Sequence, residues 1–415
     1  MSESHLALGI DLGTSGVRIA IIDSKFNQIY FEKLDYPHGI EYPDDWNKCC
    51  IDLIQHIPKN IKDHIKLICT DGTSGTLVAC NLNGKPVGNA IAYNRFFPEY
   101  KKYIFNFLES QNPAREINSS FARAVFLNKK YGSKIIIRHQ ADWISGWLIK
   151  DWRWGEEGNN YRLGWNSMKS SWPKSYKKLI WIKCLPEIVK SGTNLGAISP
   201  EIAKKLDLPK DTLIIAGTTD SNAAVLAANP SVGEGITVLG STIVVKSFVD
   251  QPIKGIGITN HRIGNQWICG GASNAGCSIL KKFFSNKEIT ELSKQINPNI
   301  SSGLNFMPLI SKGERFPVND PNLEPILTPR PISDALYLHG LLESLAKIEY
   351  QSWKKLIEYG ADTPKRIITL GGGSINPQWK RIRERIIGIE ILSYKTQPAF
   401  GIARFAMEKI DQYLN

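Results

Sequence analysis

The sequence predicts an α/β fold of two domains, and two observations support this. Short apolar segments typical of buried strands alternate along the chain with segments typical of helices. The chain has 415 residues, more than a single hydrophobic core usually organises. We therefore expect one domain over residues 1–230 and a second over residues 231–415.

A repeated hairpin pattern is a third observation. Residues 5–25 (HLALGIDLGTSGVRIAIIDSK) combine a strand, a turn of small and hydroxylated residues and a β-branched strand. Residues 233–248 (GEGITVLGSTIVVKSF) show the same order. Internal duplication of an α/β unit explains this repeat. Hairpins with glycine and serine turns are common in α/β proteins, so a repeat without duplication is the alternative.

In the first half of the chain, apolar and β-branched runs predict strands, with helices between them. We expect strands at 6–10, 17–22, 65–70 and 76–81, and helices at about 97–110 and 121–131. The run 212–216 (TLIIA) is short, continuous and apolar, as in a buried parallel strand. It leads through residues 217–220 into 221–227, where we expect a helix to begin.

The second half contains the clearest helix, at 333–359. Ser333 is a favoured N-cap, Gly360 is placed to end the helix, and apolar residues recur at helical spacing between them (Leu338, Leu341, Leu342, Leu345 and Ile348). A strand at 366–370 follows, and then three glycines and a helix from about Pro377.

Composition predicts a soluble globular protein of the cytoplasm. Hydrophobic residues make up 42% of the chain, the mean hydropathy is −0.20, and no apolar run is long enough to span a membrane. The first strand starts within about five residues of Met1, which leaves no room for a signal peptide. The seven cysteines are odd in number and form no CxxC pair, which favours a reducing compartment.

The chain carries a formal net charge of +12. Nucleic-acid binding is one interpretation of this charge, and a basic surface with a phosphate-handling cleft is the other. Lysine and arginine are scattered rather than arranged in a stripe. We therefore expect neither a nucleic-acid partner nor a membrane partner.

The glycine turn at 371–373 lies between a predicted strand and a predicted helix. Glycines let a backbone approach a ligand closely, so this position favours phosphate or nucleoside binding over a flexible connector. The sequence has neither a GxGxxG nor a GxxxxGK[ST] loop, and it lacks the HRD and DFG motifs. A nucleotide would have to be bound by a motif other than these.

Hydroxyl and carboxyl side chains near strand ends are the candidate substrate contacts. Thr73 and Ser74 can hydrogen-bond a polyol, or they can satisfy the amides of their own turn. Asp220 follows a buried strand, where α/β folds place ligand sites, and can act there as a general base. Aspartate is also a favoured helix N-cap, so a structural role stays open.

Six short segments resemble, in the same order, those of the FGGY carbohydrate kinases of the actin-like ATPase superfamily. They are GIDLGTS at 9–15, DGTSG at 71–75, AGTTD at 216–220, LGST at 239–242, GGASN at 270–274 and GGGSINP at 371–377. The ending PAFGIARFAMEK resembles the C-terminal helix of that family. DGTSGT and HQADWISGWL (139–148) are similar to compact D-ribulose and xylulokinase-like members. Tyr93-Asn94-Arg95 and residues 163–172 depart from the family pattern on the sugar side.

The resemblance implies two RNase H-like domains with a cleft between them, an N-terminal domain for sugar and a C-terminal domain for nucleotide. Both hairpins would be phosphate loops, which favours duplication. The implied sugar-side residues are Asp11, Thr73, Ser74 and Asp220, with Asp220 as the catalytic base and Asp11 also organising Mg²⁺ through water. The implied ATP-binding residues are Gly13, Thr14 and Ser15 in the first loop, Gly240, Ser241 and Thr242 in the second, and Gly372, Gly373, Asn376 and Trp379 around the adenosine, with Trp379 able to stack on adenine.

The implied activity is transfer of the γ-phosphoryl group of ATP to a primary hydroxyl of a ketopentose, D-ribulose ahead of D-xylulose, with Mg²⁺ as cofactor. One alternative is a kinase of another polyol, such as glycerol, L-ribulose or a hexose. The other is a non-catalytic actin-like nucleotide-binding protein, against which Asp220 counts because such a protein has no use for an acid there. The expected partners are a small sugar and ATP, and the sequence leaves the oligomeric state open.

Overall fold

The computed structural model describes residues 5–394 and 397–414, which form two compact α/β units. Unit 1 contains residues 5–227, 262–265 and 397–414, and unit 2 contains residues 228–261 and 266–394. The prediction of an α/β fold is confirmed. No helix in the described part of the chain is long and apolar enough to cross a bilayer.

Strands and helices are distributed over both units. The strands are β1 (Leu6–Leu12), β2 (Gly16–Ile22), β3 (Gln28–Asp35), β4 (Ile65–Gly72), β5 (Leu77–Cys80), β6 (Ile136–His139), β7 (Trp154–Glu156), β8 (Glu187–Val189), β9 (Asn194–Ala197), β10 (Leu213–Thr219), β11 (Glu234–Leu239), β12 (Ile243–Val249), β13 (Ile258–Ile263), β14 (Gln266–Ala272), β15 (Arg366–Leu370) and β16 (Glu390–Ser393). The helices are α1 (Pro43–His56), α2 (Lys59–Lys62), α3 (Lys101–Phe107), α4 (Ser120–Tyr131), α5 (Gln140–Ile149), α6 (Pro200–Leu206), α7 (Asp220–Ala228), α8 (Cys277–Phe283), α9 (Asn286–Ser293), α10 (Asp334–Glu358), α11 (Pro377–Ile387), α12 (Pro398–Met407) and α13 (Ile410–Leu414). Short 3-10 turns lie at Pro98–Tyr100, Tyr161–Leu163, Lys174–Lys178, Ile182–Cys184 and Gly372–Ile375.

Unit 1 is built on a six-stranded sheet with the order β3-β2-β1-β4-β10-β9. β1 is antiparallel to β2 and parallel to β4, and β10 is parallel to β4. Every residue of β1 is buried, as expected for a central strand covered on both faces. Helices α1, α5 and α6 contribute side chains to the core that includes Leu8 and Ile10.

Helix α12 covers the opposite face of β1, because Gly9 leaves room for it. A Cβ atom on Gly9 would lie 2.0 Å from the carbonyl oxygen of Ala399. This close approach groups residues 397–414 with unit 1, whereas the sequence boundary at 230/231 had placed them in the second domain. Residues 262–265 also group with unit 1. The compact units thus differ from the predicted domains in these two segments, and the domain boundaries and the roles assigned to the domains stay predictions.

Unit 2 repeats the strand pattern of unit 1. Its sheet has the order β13-β14-β12-β11-β15-β16, in which β11 is antiparallel to β12 and parallel to β15. In each unit the second strand of the hairpin has an antiparallel neighbour (β3 or β14), and the first strand is followed by two parallel strands (β4-β10 or β15-β16). Unit 2 has one additional strand, β13, at the edge beyond β14. The hairpins β1–β2 and β11–β12 occupy the same place in the two patterns. This common topology supports the internal duplication that the sequence pattern left open.

The predicted helical segments of unit 2 are confirmed. Ser333 caps α10, since its side chain accepts a hydrogen bond from the N–H of Leu336. Helix α11 starts at Pro377, directly after the glycine turn. In unit 1 the helix expected at about 97–110 is shorter, since only a 3-10 turn and α3 form within it.

Candidate active site

A row of charged side chains crosses four neighbouring strands of the unit 1 sheet. Lys33 on β3 pairs in register with Arg18 on β2, Arg18 pairs with Asp11 on β1, and Asp11 pairs with Asp71 on β4. Residues that pair directly across neighbouring strands project from the same face of a sheet. We call these four residues the charged row. Two cations thus stand toward the sheet edge and two acids in its centre.

A cavity of about 330 Å³ opens at one end of this row. Its lining contains three members of the charged row and the predicted base, and all of it belongs to unit 1: Asp11, Gly13, Arg18, Phe31, Lys33, Asp220, Gln397, Pro398 and Ala399. Asp11 and Asp220 come from the ends of β1 and β10, which both run parallel to β4. The structure therefore brings these two predicted site residues to one cavity, where the strand directions lead us to expect them.

The turn between β1 and β2 leaves its middle residues accessible. The N–H of Gly13 donates to the carbonyl oxygen of Gly16 at 3.0 Å, and Thr14 and Ser15 are exposed. The Arg18 guanidinium donates to the carbonyl oxygen of Gly16 at 3.1 Å and to the Ser15 hydroxyl at 3.0 Å. Arg18 therefore holds the turn that the sequence predicts to be the first phosphate loop.

The two acids of the charged row are buried side by side. Asp11 is 3% exposed and Asp71 is fully buried. Apart from the neighbouring Asp11, no described group hydrogen-bonds the carboxyl oxygens of Asp71. Burial raises the pKa of Asp11 to about 6, against the opposing effect of Arg18. Burial, and then the charges of Asp11 and Asp220, hold the pKa of Asp71 well above its usual range.

This acid pair suits a Mg²⁺ ion with few protein ligands. No group of three or more His, Cys, Asp or Glu side chains among the described residues is arranged to hold a metal by itself. Mg²⁺ at nucleotide sites commonly uses one or two carboxylates and completes its coordination with water and phosphate oxygens. Asp11 at the cavity and Asp71 behind it match that requirement, and Asp71 has oxygens left without another hydrogen-bond donor.

Asp220 combines both interpretations that the sequence left open. It is the first residue of α7, and its Oδ1 accepts a hydrogen bond from the N–H of Ser221 at 2.7 Å. It also lines the cavity with Asp11. The carboxylate can thus stabilise the start of a helix and still face a ligand. Its role as the catalytic base stays a prediction.

The predicted sugar contacts Thr73 and Ser74 lie in different surroundings. The Thr73 hydroxyl is buried between the Gln140 amide oxygen and the Thr76 hydroxyl, each at 2.7 Å. Ser74 is half-buried. Neither residue lines the cavity at Asp11. Thr73 is used within the protein, so Ser74 is the more accessible of the two predicted contacts.

The second predicted phosphate loop lies in unit 2 between β11 and β12. The N–H of Gly240 donates to the carbonyl oxygen of Thr242 at 3.1 Å, a tight turn like the one at Gly13. The carbonyl oxygen of Ser241 accepts a hydrogen bond from the Ser278 hydroxyl at 2.6 Å. Ser241 is exposed and Thr242 is half-buried. The turn is thus anchored at its backbone while its middle side chain is accessible.

The glycine turn adjoins this loop, because β11 and β15 are parallel neighbours. Gly371 has a φ of +89°, and a Cβ there would meet the carbonyl oxygen of Leu239 at 2.6 Å. A Cβ on Gly372 would meet nothing within 4 Å, whereas one on Gly373 would lie 2.6 Å from the ring of Trp379. Gly372 therefore presents open backbone, and Gly373 is required by packing.

The structure corrects the expectation for Trp379. The indole is 1% exposed, packs in the core of unit 2 and donates its N–H to the carbonyl oxygen of Leu342 at 3.1 Å. A buried ring offers no face for adenine. Trp379 instead packs against Gly373 of the glycine turn. Asn376 is also engaged, since its side chain accepts from the N–H of Trp379 at 3.0 Å and donates to the Ser293 hydroxyl at 2.8 Å.

Comparison with known proteins finds curated relatives that match nearly the whole chain. The xylulose kinase of Staphylococcus epidermidis is 24% identical to this chain, over 97% of this chain and 87% of that protein. The xylulose kinase of Lactococcus lactis is also 24% identical, over 95% and 85% of the two chains. No protein-family model matches the chain.

Solved structures share the fold over nearly the full length. A crystal structure described as a "xyloylose kinase" from Brucella ovis superposes with a TM-score of 0.84 at 19% identity, over 97% of this chain and 91% of that one. Plasmodium falciparum glycerol kinase with ADP gives a TM-score of 0.81 at 16% identity, over 99% and 90%. The chain is thus similar in sequence to xylulose kinases and has the fold of solved carbohydrate kinases.

The relatives named xylulose kinase and glycerol kinase are phosphotransferases with an alcohol group as acceptor, in agreement with the predicted enzyme class. Sequence reasoning missed three members of the charged row as candidate site residues: Arg18, Lys33 and Asp71. For Asp71 a signal was present, since an acid directly follows the strand predicted at 65–70. No comparable signal marked Lys33, because β3 has no continuous apolar run.

Proposed function

We propose that the protein transfers the γ-phosphoryl group of ATP to a primary hydroxyl of a ketopentose. The observation that carries this proposal is the pair of acids Asp11 and Asp220 at one cavity of a carbohydrate kinase fold. In-line phosphoryl transfer needs positioning, charge neutralisation and a group to accept the hydroxyl proton. Each requirement has a candidate among the residues of the two units.

In this proposal Asp220 accepts the proton of the sugar hydroxyl as the oxygen attacks phosphorus. Asp11, with Asp71 behind it, would hold Mg²⁺, which neutralises phosphate charge during transfer. Arg18 keeps the first phosphate loop in its tight turn. The Gly240–Thr242 turn would bind phosphate through its amides, and the open face of Gly372 would admit the nucleoside.

Two ketopentoses are candidates. The segments DGTSGT and HQADWISGWL resemble compact D-ribulose and xylulokinase-like members, and of the two sugars we place D-ribulose first. D-xylulose is the second candidate, since the relatives in Staphylococcus epidermidis and Lactococcus lactis are named xylulose kinases. The unusual Tyr93-Asn94-Arg95 segment lies in unit 1, whose sugar-binding role is itself part of the proposal.

A coupled assay of ADP release over a sugar panel tests the proposal. D-ribulose, D-xylulose, L-ribulose, glycerol and a hexose are compared by kcat/KM at saturating ATP and Mg²⁺. We expect a ketopentose to be preferred, with D-ribulose ahead of D-xylulose. A tenfold preference for glycerol or a hexose would overturn the choice of substrate. ATP binding without a phosphorylated product from any sugar would favour a non-catalytic nucleotide-binding protein.

The cytoplasm is the proposed location. All seven cysteines, each within the described residues, are unbridged, and six of them are buried. Thiols of this kind are typical of proteins kept in a reducing compartment.

A further inference from the structure

Lys33 is the outermost member of the charged row and lines the same cavity as Asp11 and Asp220. It lies on β3, the edge strand of the unit 1 sheet, and is exposed. Within residues 5–394 and 397–414, no carboxylate lies at ion-pair distance from its ammonium group. Lys33 therefore brings to the cavity a positive charge that no carboxylate of the described residues neutralises by direct pairing.

The other cation of the cavity is already engaged. The Arg18 guanidinium donates to Gly16 and Ser15 and lies beside Asp11, where its charge opposes the rise in the pKa of that carboxyl. Lysine has a flexible stem and three donors that turn freely, so its charge can follow a group that moves. Of the two cations, Lys33 is thus the one available to an arriving anion.

The start of helix α12 adds to the positive character of this end of the cavity. Gln397, Pro398 and Ala399 line the cavity, and the Gln397 side chain does not cap the N-terminus of this ten-residue helix. Pro398 has no N–H, and the N–H groups of Phe400 and Gly401 donate to the carbonyl oxygen of Gln397, so the helix acts mainly through its dipole, which favours an anion at its N-terminus. Lys33 and α12 therefore form a positive rim around a cavity that contains the two acids.

We propose that Lys33 binds the phosphoryl group in the unit 1 cavity, during its transfer and afterwards on the phosphorylated sugar. The inference rests on the proposed sugar kinase activity and names a further residue for it. In the step concerned, a bond forms between the sugar oxygen and phosphorus while the bond from phosphorus to the ADP oxygen breaks. The hydroxyl proton passes to Asp220. Lys33 keeps its protons and acts by charge and hydrogen bonding alone.

A lysine on an edge strand also has a simpler explanation. Charged residues there discourage pairing of the exposed edge with another chain. Glutamate would serve that purpose equally well, whereas it would repel a phosphoryl group. Lys33→Glu therefore distinguishes protection of the strand edge from binding of a phosphoryl group. Lys33→Arg keeps the positive charge. Lys33→Met removes the charge at similar length.

The experiment measures binding of the free sugar and of its phosphate ester by calorimetry. The probes are D-ribulose and D-ribulose 5-phosphate, with D-xylulose and its 5-phosphate as a second pair. Lys25→Met is the matched control, because Lys25 is an exposed lysine in the β2–β3 connection and does not line the cavity. Thermal melting checks that each variant is folded.

We expect Lys33→Met to weaken binding of the phosphate ester by ~10-fold and to leave sugar affinity within twofold. Lys33→Glu should weaken binding of the phosphate ester further. Lys33→Arg and Lys25→Met should bind the ester with about the native affinity. The kcat of Lys33→Met should fall by ~10–100-fold with little change in the KM for sugar, since the contact is made to the group in transfer.

Two other outcomes would each overturn the inference, and they are distinguishable. In the first, sugars are phosphorylated, but Lys33→Met and Lys33→Glu bind the phosphate ester with the same affinity as the control Lys25→Met. Lys33 would then only discourage pairing of the exposed edge strand. If the native protein phosphorylates no sugar in the panel and binds neither ester, the proposed function fails and the role of Lys33 fails with it.

Discussion

Asp11 and Asp71 are register partners on the parallel strands β1 and β4, and both of their carboxyl groups are buried. Two acids in this relation repel each other when both are ionised, and burial adds to the cost. A bound cation removes the repulsion. The pair therefore combines a cost to the unliganded protein with the proposed binding of Mg²⁺, a combination typical of functional sites.

The first prediction concerns Asp71. Asp71→Asn should raise the Mg²⁺ concentration needed for half-maximal activity by ~10-fold, because second-layer partners of metal sites typically contribute this much to metal affinity. Mg²⁺ titration of sugar-dependent ADP release measures the change. Asp211→Asn, which alters an exposed acid paired with Lys66 in the same unit, is the control. An unchanged Mg²⁺ requirement in Asp71→Asn would exclude Asp71 from the metal site.

The second prediction concerns Asp220. Asparagine retains an oxygen that can accept the N–H of Ser221, so α7 should start as in the native protein. It cannot accept the sugar proton. Asp220→Asn should therefore lower kcat by about 10²–10⁴ with little change in melting temperature. Steady-state kinetics with the preferred ketopentose measure this loss, and a variant within threefold of the native kcat would remove Asp220 from the role of base.

The sequence predicted those elements that depend on local pattern. Buried strands such as β1 and β10 are continuous apolar runs, and Ser333 and Pro377 mark helix starts by local chemistry. Strand β3 was missed because it alternates between exposed and half-buried residues at the edge of the sheet. Lys33 was missed with it, since only pairing in the sheet brings that residue to the cavity.

The misassigned site residues depend on contacts distant in sequence. Trp379 follows the glycine turn closely, and nothing in the nearby sequence shows that Leu342 and the core of unit 2 enclose its ring. The return of α12 to unit 1 depends likewise on the fit of Ala399 against Gly9. Local sequence thus predicted which segments form the site, and tertiary packing decided which side chains face it.

The third prediction separates the two neighbouring glycines of the 371–373 turn. Gly373→Ala should destabilise the protein by about 1–3 kcal/mol, since its Cβ would overlap the Trp379 ring at 2.6 Å. Gly372→Ala should fold normally, because its Cβ meets nothing within 4 Å, yet weaken ATP binding by ~10-fold if the nucleoside lies against that face. Denaturant unfolding and calorimetry with ATP measure the two effects. Equal ATP affinity of Gly372→Ala and the native protein would place the nucleoside elsewhere.

The last prediction uses a buried acid outside the candidate site. Glu156 in β7 is 2% exposed, its Oε2 accepts the N–H of Asn159 at 2.8 Å, and no described group hydrogen-bonds its Oε1. Burial raises the pKa of Glu156 well above 4.5, and the nearby carboxyls of Asp142 and Glu157 add to the rise. The native state therefore binds more protons than the unfolded state above about pH 4.5, and stability falls as pH rises.

Glutamine imitates the protonated form of this side chain at every pH. The free energy of unfolding of Glu156→Gln should equal that of the native protein at about pH 4 and exceed it by about 1–3 kcal/mol at pH 8. At pH 8 the native protein must either bury a charged Glu156 carboxylate or keep it protonated above the pKa that the side chain has in the unfolded state, and glutamine avoids both costs. Urea unfolding at the two pH values measures the difference, and exposed Glu201→Gln is the control. A difference of equal size at both pH values would show that packing, and not the proton, distinguishes the two side chains.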